Sequence, residues 1–432
     1  MALFSRPLPI DIVALIIDYF ADDRDTLRAC AHVAQAWVYP ARVFLFRLLR
    51  VSVAQAHDGL AEFRRFLDTP RGARAAGLVV YLRLAGVEPA DEYHWEPTID
   101  LFALGDVVSR LPKLDTFMAD RVRFAGVPAQ GPLPLTAPSV FNLSFARMTT
   151  WVHDDLRECL DVLHLFPNAK EIMTDDLSRR MKVTGERYHG ELPTKYRKFE
   201  HLRLENLLHL AYGPTAPLLN YMLHCMNLRN FTHLTLFHLD VDEIPYLGRF
   251  VYAVKDSLHY LYFNTTNTQF VVDQDPDPMV YWPKLNLDKC TALETLAIYV
   301  NIDYCPWKPR PPDELYSYWE YVEIIFQGLP ACLRRVELAL EDREEPEWIE
   351  EVLLDVDWPH LQDMLCELPA LDKVLFHGYK SCLVDNHYVE SLKCPLEDWI
   401  QDLLRAQLRR LARKNVLDFI GPRPNRRVPM PA

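Results

Sequence analysis

Three places along the chain bring together side chains capable of chemistry. His153-Asp154-Asp155 sets an imidazole and two carboxylates in succession, donors that a divalent cation accepts. His224-Cys225, and His360 with Cys366, set a thiol near an imidazole, the pairing that activates a thiolate. Each has a plainer reading. Asp154 opens an apolar-periodic stretch, where aspartate caps a helix. Cysteines set among apolar residues are ordinary core residues. The fifteen histidines show no ligand spacing. G-x-S-x-G, H-E-x-x-H, G-x-x-x-x-G-K-[ST] and G-x-G-x-x-G are all absent. These residues point to no catalytic group, no metal and no cofactor.

The composition narrows the class. The 432 residues are half apolar and a quarter charged, which is globular and enough for a large core. With 14 Gly against 32 Pro, the chain favours short elements stopped by proline over glycine-rich phosphate loops. Nine scattered cysteines without a C-x-x-C pair read as reduced thiols. The apolar run Ile12 to Ile17 is too short for a signal peptide, and nothing reaches the length of a membrane span. The expected location is cytoplasm, nucleus or both, without membrane association. Net charge is −13, with +1 in residues 1–50 and +4 in 396–432, leaving −18 for 51–395. An acidic body argues against a nucleic-acid partner.

The opening stretch, Leu8 to Phe46, organises the rest. Pro9 suits a helix entry, and Asp11 is placed to cap it. Ile12, Ile16 and Tyr19 share one face of that helix, with Val13, Ile17 and Phe20 on another. Asp25 is expected to cap a second helix carrying Leu27, Cys30, Ala31, Ala34 and Trp37, and Pro40 to open a third. Three short helices seldom make an adequate core, so their surplus apolar surface needs a partner. Leu8-Pro9, Asp11, Ile16-Ile17, Phe20, Leu27, Val33 and Trp37 together resemble an F-box, in the flavour abundant in mushroom-forming fungi. Asp11 stands where that family more often has Glu. The resemblance implies that Leu8, Pro9, Ile12, Ile16, Ile17, Phe20, Leu27, Val33 and Trp37 form the adaptor-binding box. It also implies a Skp-type adaptor and, through it, a cullin as partners.

Beyond residue 50 a pattern recurs: apolar, two variable, apolar, one variable, apolar. It starts at residues 79, 114, 140, 169, 199, 231, 258, 293, 333 and 371, at intervals of 26 to 40 residues. Its last three positions alternate as a strand does. Helical stretches lie between, at Asp154–Phe166, Leu218–Met226 and Tyr316–Leu329, and acidic 341–357 reads as another. Several end at Leu-Pro or Phe-Pro just before the next strand. About ten strand–helix units of this kind must stack to bury their apolar faces. The pattern resembles an irregular leucine-rich repeat, clearest at 201–204, 233–236 and 295–298, although only Asn301 fits that family's asparagine ladder. A single α/β domain with a parallel sheet has similar local signals.

Asp273–Pro283 and Cys305–Asp313 read as proline-rich loops. A helix over 396–413 is expected to cap the stack, with acids early and arginines late. The tail 421–432 is too rich in Pro and Arg for regular structure. In the strands, the residue between two inward side chains is expected on an open concave face. Those residues are Arg83, Arg203, Thr235, Tyr262, Ala297 and Glu337, joined by Tyr260 and Tyr299. Arg203, Thr235, Tyr260, Tyr262, Tyr299 and Glu337 are the candidate face for a protein target.

The expected architecture is therefore α/β: an N-terminal three-helix F-box over 1–50, then a leucine-rich-repeat-like solenoid over 51–420, then a loose tail. The resemblance implies a substrate-recognition subunit of a Skp–cullin–F-box ubiquitin ligase with no catalysis of its own. The alternatives are a non-catalytic scaffold that uses the F-box outside degradation, and a hydrolase with an unrecognised catalytic pair.

Overall fold

The computed structural model describes residues 8–21, 23–54, 57–87, 97–125, 136–146, 161–175, 199, 202–209, 215–237, 239, 243–264, 280–301, 318–341, 350, 353–354, 356–384 and 387–420. The chain is mixed α/β, and its strand pairing is mostly parallel. Two compact units divide it between residues 182 and 183.

The first unit begins with three helices: α1 (Ile10–Tyr19), α2 (Arg24–Val33) and α3 (Gln35–Arg47). Val13, Ile17, Leu27, Cys30 and Ala41 form a small core, with Phe20, Ala31, Trp37, Phe44 and Leu45 packed on it. Three expectations are corrected here. Pro9, not Asp11, precedes the first turn, and Asp11 lies inside it. The cap of α2 is Asp23, which accepts from the Asp25 and Thr26 N–H groups at 3.1 and 3.0 Å. Pro40 sits within α3, which starts at Gln35 and includes Trp37. Proline in the second turn removes one backbone bond, and burial of Pro40 and Ala41 keeps the helix going.

No linker follows the helices. Strand β1 (Leu48–Ala54) begins directly after Arg47, and the Val80 N–H donates to the Arg47 carbonyl at 3.0 Å. Arg24 also donates to the Leu48 carbonyl at 2.8 Å. A two-residue strand β2 (His57–Asp58) folds back on β1. Helices α4 (Gly59–Leu67) and α5 (Pro70–Ala76) then lead to β3 (Tyr81–Gly86), parallel to β1. A side pair, β4 (Thr98–Asp100) with β6 (Arg123–Ala125), flanks helix α6 (Leu101–Ser109). The ladder continues through β5 (Thr116–Asp120), β7 (Asn142–Ala146) and β8 (Glu171–Asp175), each parallel to the last. The described part of the stretch read as a helix over 154–166 is one 3-10 turn, Asp161–Leu165.

The second unit repeats the scheme. Strands β9 (Asn206–His209), β10 (His233–Leu236), β11 (Tyr260–Asn264), β12 (Thr295–Asn301), β13 (Arg335–Glu341) and β14 (Lys373–Val384) lie side by side in chain order, all parallel. Helices α7 (Thr215–Cys225), α8 (Ile244–Ala253), α9 (Tyr318–Gln327) and α10 (Trp358–Glu367) lie in four of the five intervals, and the described part of the β11–β12 interval holds two 3-10 turns, Trp282–Leu285 and Leu287–Lys289. Of the acidic helix expected over 341–357, Glu341 instead ends β13, whereas Glu350, Leu353 and Leu354 are helical; α10 then starts at Trp358 behind its cap Asp357. Trp282, read as loop, is buried, stacks on Phe263 with centroids 6.0 Å apart and lies tilted against Tyr321 at 5.8 Å. Gly248 of α8 lies so close to the Lys284 carbonyl that a Cβ would not fit. The Asn286 amide holds this approach, donating to the Gly248 carbonyl at 3.2 Å from a left-handed backbone.

The repeat frame needs one revision. Before each strand an N–H reaches back to the residue before the previous strand: Asp115 to Val80, His259 to Thr232, Glu294 to His259, Arg334 to Glu294 and Asp372 to Arg334. The Thr232 N–H reaches Glu205, so the fifth unit counts from Leu204, not Phe199. Its apolar positions are Leu204, Leu207 and His209, all buried. A histidine in the third place hid the motif. Arg203 therefore precedes β9 instead of lying in a strand.

The end of the chain is more elaborate than one helix. The expected helix over 396–413 is two, α11 (Asp398–Gln407) and α12 (Arg409–Arg413), broken at Leu408. Leu396, Ile400, Leu404, Leu408 and Leu411 are buried. Beyond them β16 (Leu417–Phe419) joins β14 in parallel, and Phe419 stacks on Phe376 with centroids 6.3 Å apart. The other half of β14 pairs antiparallel with β15 (His387–Cys394).

Candidate functional site

Helix α1 has two apolar faces. At 100° per residue, Val13, Ile17 and Phe20 fall within about 60° of arc. They face the three-helix core, where Ile17 is 0% exposed. Ile12, Leu15 and Tyr19 fall within a similar arc on the opposite side. They are open: 43%, 66% and 85% exposed. Leu8 and Ile10, at the helix entry, are exposed too, as are Val33 and Tyr39 on the other two helices. Asp11 and Asp18 are exposed along one flank of the open stripe. A row of large apolar side chains left in water on a helix that already has a core behind it is what a protein-docking surface looks like before its partner arrives.

The nine residues expected in the adaptor-binding box divide accordingly. Leu8, Pro9, Ile12 and Val33 are exposed. Ile17 and Leu27 are in the core, while Ile16 is half-buried and Phe20 and Trp37 are partly buried against that core. Leu15 and Tyr19 complete the open stripe and were absent from that set. Their spacing, with Leu8 and Ile12, is the helical i, i+4, i+7, i+11 series and could have named them.

The strand face expected to be open is covered. Tyr262, Ala297, Tyr299 and Ala339 form a buried cluster, with Phe237 and Tyr260 packed on it. Tyr299 is 2% exposed. Phe237 and Tyr262 lie ring to ring at 5.0 Å. Strand register brings the cluster together, because Tyr262 faces Ala297 and Tyr299 faces Ala339 on adjacent strands. An aromatic beside an alanine sets a large side chain against a small one, which suits close packing. Thr235 is half-buried, and Arg203 is exposed but lies apart from this cluster's strands. Arg83, on the corresponding strand face of the first unit, pairs with buried Asp120 at 2.5 Å.

Within the cluster's border sits one carboxylate, Glu337, 3% exposed. Its Oε1 lies 2.7 Å from Arg335 Nε and its Oε2 lies 2.5 Å from Lys393 Nζ. His377 Nε2 lies 3.9 Å from the same Oε2. A buried charge of this kind persists only when paired. Burial holds the His377 imidazole below its ordinary value, so it stays neutral at pH 7. Burial, and then the Glu337 charge, push the Tyr260 phenol well above its usual range. Tyr260 therefore remains an O–H donor.

The thiol and metal candidates do not assemble. Cys225 is buried, and His224 Nδ1 lies 2.7 Å from the Asn220 carbonyl. Cys366 is half-buried, and the backbone N–H of exposed His360 is held by Asp357. Burial pushes the Cys290 thiol up to about 12. Among the described residues no three His, Cys, Asp or Glu side chains gather as a metal site, and no helix is long and apolar enough to cross a membrane. His153-Asp154-Asp155, the Cys305–Asp313 loop and the tail 421–432 lie outside the described residues.

Comparison with known proteins adds little. No family model matches the chain, and no curated protein matches it. Among solved structures, the apo-structure of D-lactate dehydrogenase from Escherichia coli aligns over 86% of this chain and 89% of that one, at 10% identity. The TM-score is 0.17, too low to bear on fold or activity.

Proposed function

We propose that this chain is the substrate-recognition subunit of a Skp–cullin–F-box ubiquitin ligase. Its three N-terminal helices act as the F-box, and the strand–helix units behind them form an irregular leucine-rich-repeat solenoid that holds a protein target. The observation that carries this reading is the second apolar face of α1, with Ile12, Leu15 and Tyr19 open to water while Val13 and Ile17 keep the helix anchored. The chain order of the parallel strands within each unit, with no reversal, supports stacked repeats over a doubly wound sheet. Such a protein does no chemistry itself; it brings a target close to a ubiquitin-carrying enzyme. The double variant Leu8→Ala with Pro9→Ala, expressed as the tagged full chain, is expected to lose the co-purifying Skp adaptor while keeping its circular dichroism spectrum. Unchanged adaptor recovery would falsify the proposal.

A further inference from the structure

The covered sheet face of the second unit is edged by a row of polar side chains at the start of its strands. In register they are His233, Tyr260, Thr295, Arg335 and Lys373. His233 is exposed and stacks on Tyr260, centroids 5.7 Å apart. The others are half-buried. Arg335 and Lys373 are directly opposed cross-strand partners, an arrangement that repels unless anions stand beside it. Two do. Glu337 lies against Arg335 and Lys393, and Asp418 pairs with Lys373. Among the described residues' ion pairs, three cations thus meet two carboxylates, one positive charge over, in a chain of net −13. The three cationic side chains are each 38% or 39% exposed, so water or a ligand reaches them. The Tyr260 phenol, which keeps its proton, adds a neutral donor in the same row.

We infer that this row binds one anionic group, a phosphate or a carboxylate, on an extended segment of a protein partner. The opposed guanidinium and ammonium supply the charge-assisted donors, and the Tyr260–His233 stack supplies an aromatic surface for the neighbouring residue. A single excess charge on an acidic body suits one anion. A polyanion such as nucleic acid would be repelled by the surrounding carboxylates. As a target-recognition site this rests on the ligase reading; as an anion site it does not.

The test uses the immobilised full chain and mixed-sequence peptide libraries with one fixed central residue: phosphoserine, glutamate or serine. Retention of the phosphoserine or glutamate library is expected to exceed that of the serine library about tenfold, the scale of one charge-assisted bond. Preference for phosphoserine over glutamate assigns the anion to a phosphate, and equal retention to a carboxylate. Lys373→Gln is expected to abolish the difference. Its partner Asp418 is exposed to solvent, so this variant spares the buried Glu337 pairing and folds as the parent does. Equal retention of all three libraries, or a Lys373→Gln chain that binds as the parent, overturns the inference. Leu8→Ala with Pro9→Ala is run beside them. It is expected to keep library binding while losing the adaptor, so the two proposals fail separately.

Discussion

Helix α1 and the aromatic face of strands β11 to β13 both carry large apolar side chains, and the structure treats them oppositely. The helix keeps one stripe in its core and leaves the other, Ile12, Leu15 and Tyr19, in water. The strand face, with Tyr262, Ala297 and Tyr299, is closed. Burial of each large side chain contributes roughly 1.5–3 kcal/mol. The chain collects that energy at the strand face on its own, whereas at α1 it remains available to a partner. Surface composition alone does not separate the two; what separates them is whether the element already has a core on its other side and still shows apolar residues.

Substitutions can break or sharpen this contrast. The largest effect is expected at Tyr299→Ala, which should destabilise the second unit by about 3–5 kcal/mol in urea unfolding followed by circular dichroism. A change of under about 0.5 kcal/mol would return that face to the open surface the sequence suggested. Ile17→Ala should cost about 2–5 kcal/mol, read from the same curves, because it empties the three-helix core. Glu337→Gln comes next, at about 1–3 kcal/mol, since it strips a buried partner from Arg335 and Lys393. Leu15→Asp should change stability by no more than about 0.5 kcal/mol, while removing partner binding.

Two raised groups and one lowered contribute to the pH dependence. Cys290 and Tyr260 have folded values above their unfolded ones of 9.0 and 10.0. Their contribution is full below pH 9 and is lost as pH rises, for Cys290 between 9.0 and about 12. His377 is held below its unfolded value of 6.5, so the contribution of keeping it neutral is present above pH 6.5 and is lost as pH falls below it. Tyr260→Phe should flatten the alkaline loss above pH 10, and His377→Gln the acid loss. Thermal melting across pH checks both, and unaltered pH profiles would remove these groups from the account.

Much of the strand scheme was legible because one rule repeats: an apolar residue buried before each strand, then two alternating inward positions. Leu114, Phe231, Leu258, Leu293 and Leu333 all obey it. It misled at Phe199, where His209 stands in an apolar place and shifts the unit by five residues. Helix ends were read less well. Asp23 and Asp25 are both good caps by type, and only the backbone decides between them. The antiparallel β14–β15 pair was missed although Asp385-Asn386, turn-forming types, lie between the two strands. The closed aromatic face was invisible in sequence, because Tyr and Ala alternate as readily on an open face as on a covered one.

The central claim is that the open stripe of α1 is a docking surface. Its most direct test is a calorimetric titration of purified Skp-type adaptor into the full chain and into Ile12→Asp with Leu15→Asp. The parent should bind with one-to-one stoichiometry, and the double variant should bind at least about a hundredfold more weakly, from two lost apolar side chains, with its thermal melting unchanged. Equal affinity of the two chains for the adaptor would contradict the claim.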